Sequence, residues 1–70
     1  DKAPRFRDAI EEAEQAVGQV GGGEEAVELS PQSSYIRRLQ HLIAERNELS
    51  SQSQGRDPNR RVKIFKEKSG

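Results

Sequence analysis

The segment Arg61-Val62-Lys63-Ile64-Phe65 alternates strictly, with Val62 and Ile64 on one side and Arg61, Lys63 and Phe65 on the other. A two-residue period marks a half-buried strand, which needs a neighbour to hydrogen-bond and a second layer to cover its apolar side. The segment follows the turn-rich run Gly55-Arg56-Asp57-Pro58-Asn59. Ahead of that run, Leu49 to Gln54 is rich in Ser and Gln, a linker-like composition. Its place before a turn and a strong strand argues instead for a hairpin with a five-residue loop. Strands are therefore expected over 49–54 and 60–66.

Upstream residues supply the covering layer. Phe6, Ala9, Ile10, Ala13, Val17 and Val20 recur at helical spacing, with Arg7, Asp8, Glu11, Glu12, Glu14 and Gln15 on the other side. The pattern predicts an amphipathic helix over 4–20, begun by Pro4 and stopped by Gly21-Gly22-Gly23. Residues 26–29 read as a short strand with Val27 and Leu29 on one face. Ser30-Pro31 then offers an N-cap and a first-turn proline for a second helix over 31–46. Its apolar stripe is Tyr35, Ile36, Leu39, Leu42 and Ile43, centred near Leu39. On this reading Leu39 belongs to the core, and its substitution is expected to unfold the domain by up to several kcal/mol. Arg37 and His41, one helical turn apart, fall almost opposite the stripe and are expected to be exposed and open to a ligand. The tail from Glu67 onward is expected to fray.

Seventy residues allow one small domain with a thin core. Apolar residues are 30% of the chain and charged residues 34%, a balance that alone would permit partial disorder. The periodicities argue that most of the chain folds. Without Cys there is neither a disulfide nor a thiolate metal site. No apolar run approaches the ~20 residues of a membrane-spanning helix. Nothing resembles a signal peptide, and no Met is present, which points to a piece of a larger protein. An intracellular, cytoplasmic location is expected, as is a monomeric state for the isolated domain.

The formal net charge of zero conceals a division along the chain. Residues 1–34 carry three Lys/Arg and eight Asp/Glu, net −5, and residues 35–70 carry nine and four, net +5. An anionic partner for the basic half is the reading this favours, and mutual neutralisation of the halves within the fold is the alternative. One His and no Cys leave few nucleophilic or acid–base arrangements, and no ligand set for a metal or other cofactor stands at suitable spacing, so no enzymatic role is expected. Arg and Lys suit phosphates: each neutralises charge and releases counterions, and the Arg fork can grip two oxygens. His41 adds a donor near neutral pH and a flat ring. Phe65 is either a second stacking surface or a packing residue. Aromatic residues make up only 4% of the chain, so no multi-aromatic platform for bases is built.

At these residues the sequence resembles the R-three-H family of single-stranded nucleic-acid-binding domains, named for Arg-x-x-x-His. Arg37 and His41 match that pair, preceded by Leu29-Ser30-Pro31. Ser53-Gln54-Gly55 and Arg60-Arg61-Val62 match the later Ser-x-Gly and Arg-Arg-Val segments. The ordered set, with Gly-x-x-Pro-x-Arg-Arg, is far more specific than the bare pair. The likeness is close over about residues 27–66. It implies an α+β fold, a small three-stranded antiparallel sheet with two helices packed on one face. It also implies a contact surface for single-stranded DNA or RNA formed by Arg37 and His41 with a basic residue of the last strand, carried here to Arg60 and Arg61. Lys63 and Arg38 complete the expected basic set. Such domains are usually appendages of helicases, nucleotide-hydrolysing ATPases or RNA-binding proteins, and Ile36 to His41 is most similar to bacterial or plastid ATPase-linked members. The rival reading is a protein-interaction module that docks its basic face on an acidic partner or on its parent protein.

Overall fold

A computed structural model describes residues 5–67, so the expected helix start at Pro4 and the last residues of the tail lie outside the described residues. The order of elements is α1 (Arg5–Gly21), β1 (Ala26–Glu28), α2 (Ser34–Arg46), β2 (Ser50–Gln54) and β3 (Arg61–Phe65). The strands form one antiparallel sheet in the order β1-β3-β2, so the alternating strand β3 occupies the centre. The fold is α+β, as expected. Val62 and Ile64 are fully buried in one cluster with Ala13, Ala16 and Val20 of α1, with Leu29 just after β1, and with Ala44 of α2. Both helices therefore cover the Val62/Ile64 face, and the face of Arg61, Lys63 and Phe65 is left uncovered by them.

On α1 the buried line is Ala9, Ala13, Ala16 and Val20. Ala13 and Ala16 pack with Val62 and Ile64 of the sheet, and Ala9 lies against Gln40 of α2. Phe6, expected on the core side, is 52% exposed, because the core tapers towards the start of the helix. The C-terminal end closes through Gly22 N to Gly18 O and Glu24 N to Gln19 O. Gly23 sits at φ +131, where a side chain would strain the backbone.

Helix α2 departs from the expectation in two respects. It starts at Ser34, with Ser33 as N-cap, and Pro31 lies outside it. Ser30 does not cap it: its backbone N–H and its hydroxyl both donate to Glu12 Oε2. The lead-in instead runs alongside β3, with Leu29 N bonded to Val62 O and Gln32 N to Arg60 O. Those bonds hold the chain extended where a helix was expected.

The second departure is the face that α2 buries. Its buried residues are Arg37, Gln40 and Ala44, and not the stripe centred on Leu39. Tyr35 and Leu42 are exposed and Leu39 only half-buried. Ile43, half-buried, packs against the core, and with Leu39 and Leu42 it lines a shallow groove with Phe6 and Ile10 of α1. Gln40 is accommodated in the interior because its Nε2 donates to Ala9 O at 3.1 Å, tying the two helices together. The end of α2 is a Schellman closure: Leu49 N reaches Ala44 O and Glu48 N reaches Glu45 O, with Glu48 at φ +61. This reversal delivers the chain into β2 beside the same helix.

Candidate functional site

Arg37 lies on the inner face of α2 with 8% of its surface exposed. Its expected position in open solvent is thus corrected, because the buried side of α2 passes through it. A charged group so placed needs partners. Its Nε donates to Gln32 O at 3.1 Å, and its Nη2 lies 3.8 Å from Asp57 Oδ1 in the β2–β3 loop. The first contact fixes the side chain to the extended lead-in. The second points the free end of the guanidinium at the loop and at solvent.

One turn on, His41 is half-buried between α2 and β2. Its Nδ1 lies 2.6 Å from Ser51 Oγ and its Nε2 2.8 Å from Ser53 Oγ. The register explains the clamp. Ser51 pairs with Ile64 and Ser53 with Val62, so both hydroxyls project from the helix-covered face of the sheet. In a neutral ring one nitrogen donates and the other accepts; in a charged ring both donate, and the hydroxyls rotate to suit. Ser53 stood in the matched Ser-x-Gly segment without a role assigned to it, and Ser51 was not singled out from the sequence. The available signal was the alternation Ser51-Gln52-Ser53, which puts hydroxyls where a core-facing strand would carry apolar groups.

The His41 pKa lies below the ordinary 6.5, through burial first, then the positive charges of Arg37 and Arg60. Its folded form therefore favours the neutral ring, and its contribution to stability is complete above pH 6.5 and lost as pH falls towards the folded value. Anion binding should run the other way. A bound phosphate opposes both arginines and favours the imidazolium, so affinity for a polyanion is expected to rise as the pH falls through 6.5 and below. Isotherms at acid and neutral pH check this; a His41→Gln variant, which has no titrating ring, should lose the pH dependence.

The remaining basic residues divide between the two faces. Arg60 acts on His41 through its charge and precedes Val62 by two, on the same side of the chain, with its Nη1 donating to Gly55 O at 2.8 Å. Gly55 itself is at φ +89, and a Cβ there would meet Arg61 Nη1 at 2.9 Å. Arg38 is exposed and lies roughly 60° from His41 around the helix. Arg61 and Lys63 are on the opposite face of the sheet. Arg61 is engaged with Glu28 Oε1 at 3.1 Å and Asn59 O at 3.1 Å. The alternation that put Arg61 with Lys63 thus separates both from Arg37 and His41. Phe65 lies on that same far face, and with Lys63 and Lys66 it borders a hollow that also contains Glu24, Glu25 and Glu67. Mixed charge there makes it a poorer receptor for phosphate than the Arg37 side. Among the described residues, no group of three or more His, Cys, Asp or Glu is placed to hold a metal ion.

Two comparisons with known proteins bear on this site. The family model of the R-three-H domain matches residues 7–66. The curated protein "Uncharacterized protein ycf45" of Porphyra purpurea is 35% identical over 60 residues, which is 84% of this chain and 11% of the relative. The chain thus spans about a tenth of that relative's length. Nothing in the relative's name bears on an ATPase association.

Proposed function

The chain belongs to the R-three-H domain family, generally a family of nucleic-acid-binding domains, and from that premise we propose that it binds single-stranded DNA or RNA through the Arg37 side of the molecule. The observation that carries this reading is the convergence of Arg37, His41 and Arg60 from a helix and a loop onto one surface, bordered by Arg38. Arg37, Arg60 and Arg38 contact phosphates. His41, with both ring nitrogens engaged by Ser51 and Ser53, acts on the phosphates through its charge from a fixed place beside Arg37. Arg61 and Lys63 act on the strand only through their longer-range field, since they lie on the other face. Of the three aromatic side chains only Tyr35, exposed on α2 one turn before Arg38, borders this surface; Phe6 is exposed on α1 and Phe65 lies on the far face of the sheet. Recognition is therefore phosphate-directed, with little sequence preference. The domain works as a non-catalytic, monomeric accessory module of a longer intracellular protein.

Titration of the folded domain with single-stranded DNA and RNA oligomers, followed residue by residue through amide shifts, tests the proposal. Shifts should cluster at Arg37, Arg38, His41, Ser51, Ser53 and Arg60. Three to four phosphate contacts predict a slope of log affinity against log salt of about −2 to −3. Absence of shifts at low salt would remove nucleic acid as the ligand of this domain and turn attention to an acidic protein partner.

A further inference from the structure

We propose that Asp57 is a built-in competitor for phosphate: it occupies the outward end of Arg37 in the free protein and is displaced when a phosphodiester binds. The inference rests on the function proposed above and names the residue that sets its affinity. Arg37 keeps one fixed bond, to Gln32 O, so its outward end is what remains for a ligand. There the Asp57 carboxylate stands at 3.8 Å, too long for a hydrogen bond and short enough for an ion pair. The two partners differ sharply: the Arg37 side chain is 10% exposed and that of Asp57 77%. Arg37 therefore loses much by being left without a counter-charge, whereas Asp57 returns to water at little cost. A phosphate oxygen satisfies the same guanidinium end and can add the forked contact that the present distance does not make.

The loop is built to let the carboxylate go without unfolding. Arg60 Nη1 holds Gly55 O, Asn59 N holds Arg56 O at 2.6 Å, and Gln32 N holds Arg60 O. These bonds brace the loop on both sides of Asp57, so rotation of one exposed side chain is sufficient. The free protein is then divided between a paired and an open form, and the apparent affinity is reduced by the open fraction.

The test compares Asp57→Asn with Glu45→Gln, an exposed carboxylate on the same helix as His41 that is not paired with Arg37. Binding of a fluorescent oligothymidylate is measured for both and for the parent chain. Asp57→Asn should bind roughly three- to tenfold more tightly, and Glu45→Gln should change binding by less than about twofold. The gain should vanish when Arg37 is also replaced by Met, which keeps the side-chain volume. Equal gains from the two carboxylate variants, or a gain that survives without Arg37, would overturn the competitor role while leaving the binding function intact. Binding by Asp57→Asn alone would support it strongly. No binding by either the parent or Asp57→Asn would overturn both.

Discussion

Replacing Ile64 by Ala is expected to lower the unfolding free energy by about 2–5 kcal/mol. Ile64 is fully buried at the centre of the middle strand, among the largest side chains sealed in the core, and it packs with residues of both helices. The alanines around it cannot relax into the space, since each ends at Cβ. A domain of this length has roughly 4–10 kcal/mol in total at about 0.05–0.15 kcal/mol per residue, so this one truncation removes much of its margin. Leu39→Ala is the informative companion. Leu39 is half-buried in a solvent-open groove, and its loss should cost only about 1 kcal/mol. Urea titrations of both variants, read by circular dichroism, check the pair. A Leu39→Ala variant as damaged as Ile64→Ala would show that the Leu39 stripe, and not the Arg37–Gln40–Ala44 face, is what α2 buries.

Arg37→Met should abolish most single-strand binding, by at least about thirtyfold, in a domain that remains folded. The binding loss follows from removal of the one cation among the described residues that is both fixed and buried, since such a charge interacts more strongly than a solvated one. The stability outcome is a balance of opposed terms. Methionine fills the buried volume and removes the cost of a desolvated charge, whereas Gln32 O loses its side-chain donor. A net change of about 1 kcal/mol or less in either direction is expected. Anisotropy titration and thermal unfolding of the same sample separate the two effects. Unchanged affinity would move the contact surface away from Arg37.

Several parts of the molecule were legible before its fold was known. The Ala9, Ala13 and Val20 positions of α1 follow from helical spacing, and Val62 and Ile64 from strand alternation. The glycine stop after α1 and the turn before β3 follow from local backbone chemistry, which is indifferent to what lies across the fold. The Arg37–His41 spacing was legible for the same reason, because it depends on one helix alone.

The orientation of α2 was not legible. Counting apolar residues assigns its buried side to Leu39, yet that helix meets two different surfaces. Towards the sheet it faces Ser51 and Ser53, whose hydroxyls hold His41. Towards α1 it faces the carbonyl of Ala9, which accepts from Gln40. Polar side chains can be buried on both sides because partners for them come from elements remote in sequence, and no hydrophobic count registers such partners. Leu39 and Leu42 are then free to line the groove with Phe6, while Ile43 still packs against the core.

The same distinction runs through the candidate site. The chain alone determined that it has two helices, three strands and a basic half carrying an Arg-x-x-x-His pair, since period, turn residues and charge are local properties. Only the tertiary structure decided that Arg37 is buried with its outward end against Asp57, that His41 sits between two serines, and that Arg60 joins them while Arg61 and Lys63 do not. Those outcomes depend on strand register and on the direction in which α2 lies across the sheet, and both are settled by contacts between residues far apart in the chain.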